Sequence, residues 1–349
     1  MNLLLSISNL IQCRLQCRLH IVQSRLKYYR FCYDQVPSYI EHQAASNDDL
    51  THRFVARVSY DGTNFRGWQQ QSDSSLRTVQ GVVSATISKR FQSSVRITGA
   101  SRTDAGVHAR GQAIHFDLNV CDIDCRRLEY TLNRMLPDDV KLYNVSIAPT
   151  RELERFHATS SALSKIYTYH ICTNSFVEPI LRNYCTHLYM PLNMPLLEKA
   201  LWEFVGTHDF ISFGNQIEHT FKSHHRRAIK KNSLVTDDVC LDRESHQESL
   251  AGDAPDAPFY TTTRTIYDIR LQPSVVHGEG YYRIDFHIQS ALYQMIRNIL
   301  GTAVLVAAGR MSLSQLRDLV RTAPGRRHNP AKALAPHGLT LEHVFYEDF

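Results

Sequence analysis

The sequence predicts an α+β protein whose two halves each combine strands and helices around an apolar sheet face. Short stretches of alternating apolar and polar residues recur along the chain, and segments with apolar residues three or four positions apart lie between them. Clusters of Gly, Pro, Asn and Asp separate these segments, as turns do. A sheet covered by helices buries such a pattern, and 349 residues suffice for two cores.

In the first half, the alternating segment from Phe54 to Tyr60 predicts a strand that ends at a turn. Thr78 is an N-cap for a helix that continues to Phe91, and a second helix is predicted around Arg126 to Met135. Val140 to Ile147 reads as another strand. Two further strands flank a polar loop between the helices, which completes an α+β unit.

The second half repeats this alternation of element types. The predicted elements are a Tyr-rich strand from Ile166 to Ile171, a helix from Leu196 to Val205, a strand from Tyr281 to Ile288, a long helix from Leu292 to about Val306, and a final strand from Leu339 to Tyr346. Ser312 and Gln315 have the spacing of a capping box, which predicts a last short helix before that strand.

The loop within Arg96 to Asp117 is more polar than a turn requires. Four polar residues (Arg102, Thr103, Asp104 and His108) lie within seven positions, bracketed by Gly99, Gly106 and Gly111. We expect Arg102 to keep Asp104 charged, with a pKa about 1–3 units below the ordinary value, which suits a nucleophile or general base. The alternative is that Asp104 caps the following turn and that Arg102 is solvated.

The amino-acid sequence of this loop is distinctive enough to compare with known family motifs. GASRTDAGVHARGQAIHFD resembles the catalytic loop of the TruA family of tRNA pseudouridine synthases, in which the Asp of the R-T-D-A-G-V-H stretch is the essential carboxylate. Further segments resemble family motifs in family order, namely Tyr60–Gln69, Thr78–Gly81, Ser164–Tyr169, His208–Phe213, Arg264–Ile266, Leu292–Gly301 and Ala335–Leu339. The resemblance covers Phe54 to Tyr346 apart from one insertion.

The resemblance implies the pseudouridine synthase fold, in which two α/β subdomains form a continuous mixed, mainly antiparallel sheet with a central positively charged RNA-binding cleft. We predict subdomains at 51–152 and 153–349, with the insertion at about 214–262. The insertion holds a basic block from His219 to Lys231 and an acidic, Ser- and Pro-containing block from Asp237 to Pro258. The basic block could follow RNA phosphates, or both blocks could form a solvated loop.

The resemblance also assigns roles, residue by residue. Asp104 would be the catalytic carboxylate and Arg297 its buried partner, while Tyr167 would stack on or hydrogen-bond the flipped base. Arg102 would help to extrude the nucleotide, and Leu292 and Met295 would line the pocket. The sequence departs from the family pattern at Ser101 and Ala291, where many relatives carry Gly and an aromatic residue. We expect neither departure to touch the Asp, Arg and Tyr set.

The implied activity is isomerisation of uridine to pseudouridine in the anticodon stem-loop of tRNA, at positions of the 38–40 type. The same chemistry on other tRNA positions or on messenger RNA is an alternative, and so is an RNA-binding protein or tRNA chaperone without turnover. No cofactor or metal is expected, because the reaction demands none and no corresponding motif is present. Bacterial members are homodimers, so a homodimer is a hypothesis for this chain too.

Composition is compatible with an RNA substrate. The formal charge is +5, and the eight cysteines have no paired zinc-finger spacing, so we interpret them as reduced thiols. No apolar run reaches a membrane-spanning length, so no membrane partner is expected. Residues 1–33 are Arg-rich, contain no Asp or Glu and have helical apolar spacing, which predicts a mitochondrial transit peptide within an N-terminal extension of 1–50. A retained helix or RNA-contacting arm is the alternative, and a cytoplasmic or nuclear location is the alternative to a mitochondrial one.

Overall fold

The computed structural model describes residues 51–73, 75–120, 123–149, 155–215, 261–347 and 349. The N-terminal extension and almost all of the predicted insertion lie outside these ranges. Residues 50–349 group as one compact unit, and their division near residue 152 stays a prediction. None of the described helices is both long and apolar enough to cross a bilayer.

Ten strands and five α-helices are defined within the described ranges. The strands are β1 (Thr51–Tyr60), β2 (Ile97–Gly99), β3 (His108–Asn119), β4 (Val140–Ile147), β5 (Ser164–Cys172), β6 (Thr186–His187), β7 (Gly206–Asp209), β8 (Thr263–Pro273), β9 (Tyr281–Ile288) and β10 (Leu339–Phe345). The helices are α1 (Val79–Phe91), α2 (Cys125–Met135), α3 (Met194–Trp202), α4 (Met295–Ala307) and α5 (Leu313–Thr322).

All ten strands belong to one sheet. Its order is β4-β1-β3-β10-β5-β9-β8-β7, with β2 paired to β3 and β6 paired to β5. The β3–β10 and β5–β6 pairs are parallel, and the other described pairs are antiparallel. The predicted fold class is confirmed, because the sheet is mixed, mainly antiparallel and continuous across both halves.

The last strand joins the two halves of the sheet. On one side, β10 pairs Leu341 with Ala109, at the start of the strand that follows the polar loop. On its other side, Leu341 lies opposite Tyr167 of β5. A single strand therefore sets the register between the polar loop and the Tyr-rich strand.

A buried arginine reinforces this junction. The guanidinium of Arg57, on β1, donates from Nη1 to the carbonyl of Val344 at 2.7 Å. It also lies over the ring of Phe349, 4.5 Å from the centroid, where a cation–π interaction stabilises both groups. Because the hydrogen bond and the ring contact both hold the end of the chain, β10 is anchored beyond its own sheet pairing.

The two predicted helix caps are present, whereas two helices begin at residues other than those predicted. Thr78 accepts from the Gly81 amide, and the Ser312–Gln315 capping box is formed. The long helix predicted from Leu292 begins at Met295, because Gln294 has a left-handed backbone with φ of 60°. The helix predicted from Leu196 begins at Met194, since Asn193 caps it and a proline occupies its first turn.

We expect Leu341→Ala to lower the free energy of unfolding by about 2–5 kcal/mol, because a fully buried leucine at the junction would leave a cavity. Urea denaturation of both proteins measures the difference. Val275→Ala, at a side chain that is 99% exposed, is the matched control and should change stability by less than about 0.5 kcal/mol. Equal effects of the two substitutions would contradict the role assigned to β10.

Candidate active site

The polar loop between β2 and β3 is held by hydrogen bonds to the first strand and to the segment after it. Trp68 donates its backbone N–H to the Thr103 carbonyl at 3.1 Å, and the Thr103 hydroxyl shares a hydrogen bond with the Tyr60 hydroxyl at 2.7 Å. Gly67 has φ of 91°, and a Cβ there would lie 2.8 Å from the Thr103 oxygen. These contacts fix the residue immediately before Asp104.

Asp104 forms an ion pair with Arg297 of α4. Arg297 donates from Nη1 to Oδ2 of Asp104 at 2.6 Å, and it donates from Nε to the Leu334 carbonyl at 2.6 Å. The two side chains are only 13% and 11% exposed. The pairing expected between the halves is therefore present, with the guanidinium oriented by a second acceptor.

The expected cause and direction of the Asp104 pKa shift are wrong. Arg102 is exposed, and the charged partner of Asp104 is Arg297 rather than its sequence neighbour. Burial raises the pKa of Asp104 above its ordinary value, and the hydrogen bond and charge of Arg297 offset this only in part. The site thus holds a carboxylate that is desolvated but still paired, an arrangement common for catalytic groups.

Tyr167 lies beside this pair on β5. Its side chain is buried, and burial raises the pKa of its hydroxyl to about 12. The hydroxyl shares a hydrogen bond with the Ser101 hydroxyl at 2.7 Å, so the expectation that Ser101 leaves the Asp, Arg and Tyr set untouched is wrong. Gln112 holds Ser101 in turn, since its side-chain amide donates to the Ser101 carbonyl at 2.6 Å and accepts from the Ser101 N–H.

The residues expected at the site line one cavity of about 960 Å³. They are Arg102, Asp104, Tyr167, Leu292, Met295 and Arg297. Met295 is buried, Leu292 is half-buried, and Arg102 is exposed. The late start of α4 leaves Leu292 in a non-helical segment before the turn at Gln294.

Three basic residues that the sequence interpretation did not assign also line the cavity, namely Arg96, Lys165 and Arg264. Lys165 is buried and donates to the Ala100 carbonyl at 2.8 Å, and Arg264 is half-buried at the start of β8. Burial, with a smaller contribution from Arg264, lowers the pKa of Lys165 to about 8. Strand alternation could have found Lys165, because it lies two residues before Tyr167 and so on the same face.

Within the described ranges, no group of three His, Cys, Asp or Glu side chains is placed to hold a metal ion. Within the same ranges, the cavity is lined by one carboxylate, which is paired with a guanidinium and flanked by a tyrosine, and it is large enough for a nucleoside. Such a carboxylate can act as a nucleophile or as a base.

Comparison with known proteins agrees with this arrangement. A family model described as tRNA pseudouridine synthase matches residues 56–161 and 248–347, more than half of the chain. The chain belongs to the tRNA pseudouridine synthase family. Both matched segments carry site residues, since the first contains Asp104 and the second contains Arg297.

Relatives place the chain in the TruA branch of this family. A protein of Protochlamydia amoebophila named tRNA pseudouridine synthase A 1 is 32% identical over 300 residues, which cover 85% of this chain and 97% of the relative. Proteins named tRNA pseudouridine synthase A from a Thermoanaerobacter species and from Streptococcus thermophilus are 31% and 30% identical. Those matches cover 83% and 84% of this chain and 97% and 99% of the relatives.

We expect Arg297→Gln to raise the pKa of Asp104 further. Arg297 lowers this pKa and burial raises it, so removal of the guanidinium leaves burial unopposed. Titration of the Asp104 carboxyl by ¹³C NMR, assigned with Asp104→Asn, measures the midpoint in each protein.

Arg53→Gln is the matched control, because Arg53 pairs with Asp117 at 2.7 Å and lowers the pKa of that carboxyl instead. This substitution should raise the pKa of Asp117 and leave that of Asp104 in place. A midpoint for Asp104 that is lower in Arg297→Gln than in the original protein would disprove the assignment of causes.

Proposed function

We propose that this protein isomerises uridine to pseudouridine in the anticodon stem-loop of tRNA, with Asp104 as the catalytic carboxylate. The observation that carries the proposal is the buried ion pair between Asp104 and Arg297 beside Tyr167, inside one cavity. Membership of the tRNA pseudouridine synthase family supports the reaction and the RNA class. The names of the relatives, tRNA pseudouridine synthase A, support tRNA as substrate.

The reaction requires that the target base first leave its stack. The bond between N1 of uracil and C1′ of ribose breaks, the uracil rotates, and C5 bonds to C1′. N1 gains a proton and C5 loses one, so the product is an isomer and no external reactant is consumed. A flipped base that enters a closed pocket is the usual solution for chemistry of this kind.

The residues around the cavity suit these steps. Asp104 has a carboxylate oxygen that can attack the sugar or the pyrimidine ring, or accept a proton from the sugar. Arg297 favours the charged form of this carboxylate and orients it, and little of either side chain is exposed. Tyr167 offers a buried ring against which uracil can stack, with its hydroxyl fixed by Ser101.

Arg102 suits a different task, because it is exposed at the edge of the cavity. A planar guanidinium can stack on bases in the place that the flipped nucleotide leaves. We assign Arg102 to base extrusion and Leu292 with Met295 to the apolar wall that holds the base. Both assignments rest on position in the cavity and on side-chain chemistry.

The decisive experiment incubates the full chain with an unmodified tRNA transcript and maps pseudouridine along it. We expect product in the anticodon stem-loop, and we expect Asp104→Asn to lower turnover by about a thousandfold or more while tRNA binding changes little. Asp318→Asn, at an exposed carboxylate on α5, is the matched control and should retain full activity.

Each alternative gives a different outcome. Pseudouridine outside the anticodon arm, or in messenger RNA only, would replace the proposed target and keep the reaction. Tight tRNA binding without product would favour an RNA-binding scaffold. Full turnover by Asp104→Asn would remove Asp104 from the mechanism.

Localisation and assembly are separate proposals. The Arg-rich, acid-free segment 1–33 supports import into mitochondria, although it lies outside the described residues. The N-terminal sequence of the mature protein tests this, because a retained Met1 would exclude cleavage. Pairing of two copies is measured by light scattering of the purified chain.

A further inference from the structure

The charge lining the cavity is unbalanced. Five lining residues are cationic and one is a carboxylate, namely Arg96, Arg102, Lys165, Arg264, Arg297 and Asp104. Asp104 and Arg297 neutralise each other at 2.6 Å. The remaining lining cations therefore give the cavity excess positive charge before any RNA binds.

Sheet register places two of these cations on the same face as Tyr167. Lys165 of β5 lies opposite Ile288 of β9, and Ile288 lies opposite Ile266 of β8. Residues opposite one another in a sheet share a face, and so do residues two apart in a strand. Arg264, two residues before Ile266, thus shares the face of Lys165.

Among the described residues, neither Lys165 nor Arg264 forms an ion pair with a carboxylate. Lys165 donates to the Ala100 carbonyl, and Arg264 donates to the carbonyls of Thr261 and Thr263. The Nε atom of Arg264 is buried without a hydrogen-bond acceptor among these residues. Buried donors are normally satisfied, so this guanidinium suits a ligand that brings oxygen acceptors.

The position of the pair along β5 fits a nucleotide whose base reaches Asp104. Tyr167 stands about 7 Å along the strand from Lys165, at the usual antiparallel rise. Tyr167 contacts Ser101, three residues before Asp104 in the polar loop, whereas Lys165 contacts Ala100, one residue further from Asp104. A uracil against Tyr167 would leave its sugar-phosphate directed towards Lys165 and Arg264.

The geometry points to a phosphate-binding subsite formed by Lys165 and Arg264, which holds an RNA phosphodiester flanking the flipped uridine. This inference rests on the proposed RNA substrate and adds where its backbone is bound. Burial holds the pKa of Lys165 near 8, and an adjacent phosphate would favour the charged ammonium. The subsite would place the nucleotide before chemistry and would not itself contact the reacting atoms.

The test measures binding in an Asp104→Asn background, so it does not depend on turnover. We expect Lys165→Met and Arg264→Gln each to raise the Kd for tRNA about tenfold at 0.1 M salt, as loss of a charged hydrogen bond does. The slope of log Kd against log salt should fall by about 0.7 to 0.9 for the lost phosphate contact. Arg264→Lys should recover much of the loss.

Lys199→Met and Arg310→Gln are matched controls, because both side chains are exposed and neither lines the cavity. Thermal unfolding of each variant shows whether it is folded. If Lys165 only supports Ala100, folded Lys165→Met would keep the original Kd and salt slope. That result, together with an unchanged Arg264→Gln, would overturn the subsite.

A second measurement locates the phosphate. Anticodon-arm RNAs that carry one uncharged methylphosphonate linkage, scanned position by position, remove single charges from the substrate. In the original protein, we expect an uncharged linkage next to the flipped uridine to weaken binding of the RNA. In Lys165→Met and in Arg264→Gln, the same linkage should not weaken binding further, because the interacting partner is already gone. Additive losses at every linkage would refute the subsite, even if pseudouridine formation is confirmed.

Discussion

The ion pair between Asp104 and Arg297 is the interaction on which the site depends. Its two residues lie 193 positions apart in the chain, on a loop of the first half and on a helix of the second. Each charge would be costly to bury alone, and loss of either partner would leave the other uncompensated. The pair therefore ties the position of the polar loop to the packing of α4 against the sheet.

The loop that carries Asp104 and the helix that carries Arg297 keep their relative positions because the sheet is continuous. β10 lies between β3 and β5, so the strand after the loop and the strand that carries Tyr167 have a common neighbour. Arg57 anchors this neighbour through Val344 and Phe349. A site assembled from loop, strand and helix thus gains the rigidity of a sheet, which fixed catalytic geometry requires.

Much of this arrangement could be predicted from the sequence. Alternation and capping residues predict most elements within a few positions, and the family motifs name six residues that line one cavity. The apolar spacing places the start of α4 at Leu292, but the helix begins at Met295, because Gln294 has a left-handed backbone conformation. The sequence analysis predicts no strand at β6, β7 or β8, and β7 is short and half exposed, with little apolar alternation to mark it.

Properties that depend on contacts between residues far apart in the chain cannot be predicted from local sequence patterns. Nearness in sequence suggests Arg102 as the cause of the pKa shift of Asp104, whereas burial makes the largest contribution to that shift. The contact of Ser101 with Tyr167 joins residues 66 positions apart. Lys165 and Arg264 line one cavity because β5, β9 and β8 are paired, and this pairing cannot be read from the local sequence.

The place of β10 in the chain has a consequence for biosynthesis. On the ribosome, nine strands of the sheet emerge before β10 does, yet β10 fills the gap between β3 and β5. Each half can begin to fold as it emerges, but until β10 arrives both halves present unpaired strand edges. In a nascent chain, the edges of β3 and β5 therefore need to be shielded from aggregation until β10 has been synthesised.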